Sequence, residues 1–394
     1  MPVERPRSRP KRVGVLTGGG DVPGLNSVIR ALVWRLEEHG HQVLGLRRGW
    51  AALLHCVPDP DADNSEWLLP LDRESTRRID RFGGTILHSS RVNPALFQPA
   101  DLPERLRPKA PQPGPEGLLD LTPHCLEVLE FLRLDALVAI GGDGTLAFAQ
   151  RLDREGVPLL AIPKTMDNDV YGTDYCVGFS TAITRSVRFI NDLRTAAGSH
   201  ERLLVVELFG RYSGETCLLT SYLANTDRAL ISEAPFETER VVDLLRRDRA
   251  GNPSRYAVVA VSEGAYPRGS ERFESGRPDV VGHRKLGGVG AYLAEELQRR
   301  GLGVVYQQLG YLMRSGPPDS LDQLVAKNFG HLAADLIEEG RTGQMAAILG
   351  GKYAAVPVEA LGDGIKRVHV DRFYDAEEYR PKAFPVLEMP MFLH

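Results

Sequence analysis

No stretch of this 394-residue chain approaches the ~18 consecutive apolar residues of a membrane span, so no membrane-crossing helix is expected. Cysteine is scarce. Cys56, Cys125, Cys176 and Cys217 lie far apart and form no CxxC pair, which argues against a zinc knuckle or a disulfide framework and fits reduced thiols in the cytoplasm. Excess charge is missing too. Lys and Arg total 48 against 52 Asp and Glu, a net charge of −4, so nothing global asks for nucleic acid or an anionic membrane, and any cationic site must be local. There is no fixed-period repeat and no low-complexity tract. Met1 to Arg12 holds five basic residues and three prolines without an apolar stretch, which predicts a flexible tail rather than a secretory signal. What remains is an ordinary balance, 42% hydrophobic and 25% charged, with apolar material for a sizeable core. The length suggests two domains or one large α/β unit.

Short apolar runs alternate with helical patterns, the signature of βα units and parallel sheets. Val13–Leu16 reads as the first strand. Ile29, Leu32, Val33 and Leu36 form the buried stripe of the helix that follows, and Gly40 stands where that helix should end. Val43–Leu46, Ala136–Ile140, Leu159–Ile162, Leu203–Val206 and Tyr256–Val261 are further strands. Gln98–Gly117, with six prolines, predicts a surface excursion without regular elements, and Pro267–His283 a second loop. Phosphate-type loops crowd the first ~165 residues and arginine-bearing motifs come later, which suggests two α/β halves facing each other across a cleft.

Three loops carry chemistry. Thr17-Gly18-Gly19-Gly20-Asp21-Val22-Pro23-Gly24 follows a strand and opens a helix, where glycines let backbone N–H groups approach an anion. It is neither a dinucleotide fingerprint nor a Walker A loop, because Pro23 and Leu25 occupy the deciding positions. Gly141-Gly142-Asp143-Gly144-Thr145 repeats the arrangement, and Asp143 suits Mg²⁺, a hard cation that takes carboxylate and phosphate oxygens. Lys164-Thr165-Met166-Asp167-Asn168-Asp169 ends a strand with two carboxylates two residues apart. In extended chain they share a face, one to accept a hydroxyl proton and the other to orient it or the metal. Arginines at later strand ends, in Glu207–Arg211 and Leu309–Arg314, suit a phosphorylated substrate.

The ordered set GGDxPGLN, GGTILxxSR, GGDGT, PKTxDND, SHER, ELFGR and LGYLxR, from Val13 to about Leu336, resembles the phosphofructokinase family. The resemblance implies two Rossmann-like parallel-sheet α/β halves with the active site in the cleft between them. It places a donor-phosphate half at residues 13–165 and a sugar-phosphate half at 166–394, the chain crossing back near its C-terminus. It implies Mg²⁺-dependent phosphoryl transfer to the 1-hydroxyl of fructose 6-phosphate in a cytoplasmic homodimer or homotetramer. By position, Asp167 matches the general base, and Arg211, Thr165 and Lys164 share the catalytic set. Gly20, Trp50, Arg91, Val92, Gly142, Asp143, Gly144 and Thr145 match donor contacts, with Asp143 as the metal-associated carboxylate. Thr165, Asp167, Asp169, Arg202, Phe209, Gly210, Arg211, Glu233, Tyr311 and Arg314 match sugar-phosphate contacts, Arg202 from a neighbouring subunit.

Departures exist. Val305 stands where bacterial relatives carry a second phosphate-binding arginine, with Arg299 and Arg300 as nearby substitutes, and Trp34 replaces an effector-site arginine. The donor follows from two positions. Gly144 leaves space for an α-phosphate, as in ATP users; Lys164 is the residue that pyrophosphate users carry. Steric exclusion outweighs a compatible cation, so ATP is expected, with pyrophosphate the alternative. Rivals of another class are an NAD or lipid kinase sharing GGDGT and a non-catalytic sugar-phosphate-binding homologue.

Overall fold

The computed structural model describes residues 9–275, 285–382 and 391–392. The chain opens with β1 (Arg12–Thr17), α1 (Leu25–Glu38), β2 (Gln42–Leu46), α2 (Ala51–His55) and β3 (Leu68–Leu71). It continues through α3 (Thr122–Leu132), β4 (Ala136–Gly141), α4 (Asp143–Arg154) and β5 (Leu159–Pro163). Next come α5 (Phe179–Ser199), β6 (Leu203–Leu208), α6 (Glu215–Ala224), β7 (Arg228–Leu230), α7 (Thr238–Gly251) and β8 (Ala257–Ser262). A short antiparallel pair, β9 (Glu274–Ser275) and β10 (Lys285–Leu286), precedes α8 (Val289–Arg299) and β11 (Val304–Gln308). The chain then returns through α9 (Ser320–Glu338) to β12 (Gln344–Leu349) and β13 (Lys352–Pro357).

Two sheets result, in the order β13-β12-β5-β4-β1-β2-β3 and β11-β6-β8-β7. The second is wholly parallel; in the first, only the edge strands β3 and β13 run antiparallel. The central strands are apolar on both faces because helices cover both sides. ALVAIG of β4 and LLVVEL of β6 are buried throughout, even at Glu207. The expected helix stripe is confirmed, with Ile29, Leu32, Val33 and Leu36 fully buried and Gly40 at φ 83° just past the helix end. α9 lies against α1 at close range. A β-carbon at Gly330 would stand 2.7 Å from the Val28 carbonyl oxygen, so only glycine lets these backbones touch. Burial of each of the α1 leucines contributes about 1.5–3 kcal/mol, so Leu32→Ala is the change that would loosen this layer.

Asp322, in the first turn of α9 and fully buried, ties the returning helix to the start of α5. It accepts hydrogen bonds from the Tyr175 hydroxyl (2.6 Å) and the N–H groups of Gly178 (2.7 Å) and Thr181 (2.8 Å).

Three loop expectations change. The tail expected over 1–12 is structured by its end. Arg12 begins β1, the Lys11 N–H donates to His41 Nδ1 at 3.0 Å, and residues 1–8 lie outside the described residues. The proline-rich excursion does form elements: 3₁₀ turns at Pro99–Asp101 and Glu104–Lys109, which bury Leu102 and Leu106 and are closed by reciprocal Phe97–Leu119 backbone bonds. Prolines with φ near −65° suit such turns, which the prediction of irregular chain overlooked. In the second loop, Arg272 stacks between Tyr212 and Tyr266, and the part from 276 to 283 lies outside the described residues.

Candidate active site

Parallel strands aim their C-terminal ends, and the loops that follow, toward one side of a sheet. Here the ends of β1, β4 and β5 face those of β6, β8 and β11 across a cavity of about 350 Å³. Its lining includes Gly20, Arg91, Val92, Gly142, Asp143, Gly144, Thr145, Lys164, Thr165, Asp167, Asp169, Phe209, Arg211, Tyr311 and Arg314.

The glycine loops are locked by contact. The Gly18 N–H donates to the Ile140 carbonyl (2.9 Å) and the Gly19 N–H to that of Ser90 (2.8 Å). A β-carbon at Gly141 would meet Thr145 Cβ at 2.3 Å, and one at Gly18 would meet Thr145 Oγ1 at 2.5 Å, so both loops close on one threonine. α4 starts at Asp143, which puts a helix N-terminus, with its free N–H groups, on the cavity wall. One Asp143 oxygen accepts the Gly144 N–H at 2.8 Å.

Lys164 is buried under the first loop, its Nζ donating to the Gly20 carbonyl at 2.6 Å. Burial, with Arg314 nearby, lowers its pKa to about 8, against the pull of Asp143, Asp167 and Asp21. The acidic run that follows is a turn rather than an extended segment. Asn168 takes φ 53°, and its buried amide donates to the Asp174 carbonyl (3.1 Å) and Glu215 Oε2 (3.0 Å), while its oxygen accepts the Cys176 N–H (2.8 Å). That left-handed asparagine still turns Asp167 and Asp169 toward one cavity. Burial raises both carboxyls above their ordinary values, that of Asp167 to about 8. Next in weight comes Asp169 for the former and Asp143 for the latter, and Arg211 opposes both shifts.

The opposite wall is made of side chains. Arg211 follows β6 with φ 48°, its N–H bonded to Glu263 Oε1 at 3.0 Å. Glu263 follows β8 in the same way; burial pushes its carboxyl up to about 7, although amides and the Arg211 charge resist. Tyr311 and Arg314 sit on a 3₁₀ turn, Gly310–Arg314, with the guanidinium 4.7 Å over the Tyr311 ring and 3.6 Å from Asp21 of the facing loop. The cavity thus gathers four cations, Arg91, Lys164, Arg211 and Arg314, around acids that include Asp143 and Asp167.

No group of three His, Cys, Asp or Glu side chains suited to a metal occurs among the described residues. Asp143 on the cavity wall still fits Mg²⁺, which is commonly bound by one or two carboxylates together with substrate phosphates.

Several expected residues lie elsewhere. Trp50 is 1% exposed, packs edge-on against Phe148 and donates Nε1–H to the Thr145 carbonyl at 3.2 Å. It backs the loop and offers no ring face to a ligand. Glu233 is half-buried, lies outside the cavity lining and accepts the N–H groups of Gly214 (2.9 Å) and Val368 (3.1 Å). Gly210, between Phe209 and Arg211, makes room for the Ser213 carbonyl, 2.7 Å from where its β-carbon would be. Arg202 precedes β6, about 20 Å of strand away from the cavity end at ~3.3 Å per residue. Arg299 and Arg300 precede the same far end of β11 and pair with Glu296, outside this chain's own cavity. The cavity-lining residues outside the expected set are Gly19, Val22, Asn93, Met166, Tyr212, Glu263 and Leu286. For Glu263 a signal existed, a charged residue directly after a buried strand, the same pattern that singled out Arg211.

A family model described as phosphofructokinase matches residues 12–337. The chain is 36% identical over 370 residues to ATP-dependent 6-phosphofructokinase 3 of Streptomyces coelicolor, covering 93% of this chain and 99% of that one. It is 37% identical over 372 residues to the pyrophosphate–fructose 6-phosphate 1-phosphotransferase of Amycolatopsis methanolica, with the same coverage. The solved phosphofructokinase of Saccharomyces cerevisiae superimposes with a TM-score of 0.69 at 23% identity over 89% of this chain. This chain spans 45%, about half, of that one.

Proposed function

Because the chain belongs to the phosphofructokinase family, we propose that it is a Mg²⁺-dependent 6-phosphofructokinase, transferring a phosphoryl group from ATP to the 1-hydroxyl of fructose 6-phosphate. The observation that carries this reading is Asp167, a carboxylate that lines one cavity together with Lys164, Arg211, Arg91 and Arg314. Phosphoryl transfer leaves the protein little covalent work, so positioning and charge neutralisation dominate.

Asp167 takes the proton of the acceptor hydroxyl. Thr165, which accepts the Asp167 N–H at 3.1 Å, and Asp169 hold that end of the turn. Arg211 and Lys164 face the oxygens that gain charge. Gly20, Arg91, Val92, Gly142, Gly144 and Thr145 form the donor wall, and Asp143 would hold Mg²⁺, which when bound would supply positive charge to the donor phosphates. Phe209, Tyr311 and Arg314 hold the sugar phosphate, and Glu263 replaces Glu233 as the carboxylate for a sugar hydroxyl.

We assign residues 13–165, with the returning β12 and β13, to the donor half, and the second sheet to the sugar half. Arg202 points away from its own cavity, so its role as a phosphate contact requires a second copy of the chain, in a homodimer or homotetramer. The four cysteines are free and buried, which suits the cytoplasm.

Gly144 supports ATP as donor. Lys164 supports the pyrophosphate reading, and Trp50, now in the core, supports neither. Assaying the purified chain with Mg²⁺, crossing ATP and pyrophosphate with several sugar phosphates, tests the proposal. Turnover of fructose 6-phosphate with ATP and little with pyrophosphate is the expected result. The converse would transfer the donor assignment to pyrophosphate, and no turnover with either donor would remove the activity.

A further inference from the structure

The matched family region ends at residue 337, yet a later segment reaches the back of the site. Lys366 is 5% exposed, and its Nζ donates to the Asp174 carbonyl at 3.0 Å. The same carbonyl accepts the amide of Asn168, the left-handed residue between Asp167 and Asp169. Glu215, 2% exposed, is the other acceptor of that amide, so a buried carboxylate and a buried ammonium flank one asparagine. Next along the chain, Arg367 lies 6.0 Å over the ring of Tyr212, a cavity-lining residue. The Val368 N–H then bonds Glu233, which also accepts the Gly214 N–H ahead of α6. Three successive residues therefore reach the acidic turn, the Tyr212 wall and the start of α6.

We propose that residues 366–368 form a strap behind the active site, in which Lys366 is a positioning residue for the Asp167–Asp169 turn. A lone buried cation is costly unless surrounding groups offset it, and the groups that oppose that cost for Lys366 come from the turn and from α6: the Asp174 carbonyl, Glu215, Asp174 and Asp169. Removing its charge leaves Glu215 and Asp169 short of a counter-charge. It also removes one of the two donors that fix the Asp174 carbonyl, the acceptor of the Asn168 amide, so Asp167 loses its aim while the glycine loops across the cavity are untouched.

The inference rests on the proposed reaction, so its test has one arm that needs no turnover. Lys366→Met keeps the chain length and removes the ammonium. A misplacement of about 1 Å can cost on the order of 10²-fold in rate, so kcat should fall about 30- to 100-fold with the donor KM within about twofold. Lys366→Arg should recover part of the loss. Hydrogen exchange at the Cys176 amide, which donates to Asn168, should quicken about tenfold or more in Lys366→Met, whatever the substrate. Unchanged exchange at Cys176 overturns the proposal, as does unchanged kcat in a variant of an active enzyme. So does a parallel loss of kcat, donor KM and melting temperature without rescue by arginine, which would mark a merely structural lysine. If Lys366→Met does not fold, Arg367→Gln is the second variant: kcat about three- to tenfold lower at unchanged melting temperature supports the strap, and unchanged kcat defeats it. An inactive wild type would sink the reaction alone, because the exchange arm still decides the strap.

Discussion

The two walls of the cavity are built from different materials. On the side of the seven-stranded sheet, Gly19, Gly20, Gly142 and Gly144 bring backbone to the cavity, beside the N-terminal end of α4. On the side of the four-stranded sheet, strand ends deliver Arg211, Glu263, Tyr311 and Arg314. Backbone suits a donor whose phosphates all present the same oxygens. A sugar phosphate, with a hydroxyl to deprotonate and others to leave alone, needs side chains placed one by one. Tolerance to mutation should differ accordingly: the glycine wall fails by steric overlap, and the acid turn with the opposite wall fails by lost charge.

The largest effect should come from the acid turn between them. Asp167→Asn should lower kcat by about 10²–10⁴, read in steady-state turnover, with sugar-phosphate binding largely kept. Its stability should move the other way. Burial and Asp169 raise the Asp167 carboxyl, so the folded chain holds that proton more tightly than the unfolded chain, whose aspartates titrate near ~4. Ionisation therefore costs wild type stability as pH rises above ~4. The asparagine variant should melt higher than wild type at pH 8, with the gap closing toward pH 4. Equal melting temperatures at both pH values would show that the site carries no such strain.

A smaller effect is expected on the backbone wall. The Gly141→Ala methyl would overlap Thr145, and overpacking of this kind costs about 1–3 kcal/mol, visible in chemical denaturation. Removing the obstacle in Gly141→Ala/Thr145→Ala should return much of that loss. A double variant as unstable as the single one would mean that the glycine serves something other than clearance.

The smallest effect sharpens the contrast. The three atoms nearest a β-carbon at Gly20 would all belong to the Arg314 guanidinium, the movable tip of a long side chain. Gly20→Ala should leave stability nearly intact and displace that guanidinium. KM for fructose 6-phosphate should then rise about fivefold, from the ~1 kcal/mol of a typical hydrogen bond. A large loss of stability would place Gly20 with Gly141 as a packing glycine.

Much of the backbone wall was legible in the sequence because glycine runs between a strand and a helix have few other uses. The side-chain wall was legible only where the motif spacing of the resembled family pointed. Arg211 and Glu263 obey one rule, a charged residue just past a buried parallel strand, yet only the first was picked out. Trp50 and Glu233 were misplaced for a related reason. An aromatic or a carboxylate beside a loop reads alike whether it faces the cavity or backs the wall, and only packing against Phe148, or amides from Gly214 and Val368, decides. Lys366 was invisible, since its meaning depends on contact with a turn almost two hundred residues earlier.

Asp322 has a mechanical consequence. The chain passes from the first sheet into α5 and returns through α9, and this carboxylate joins those two passages at one spot. A third passage, after β13, carries Arg367 to the Tyr212 wall of the second sheet. A joint held at several points resists sliding and twisting better than a single strand of chain, so the loops that meet at the cavity are kept in register.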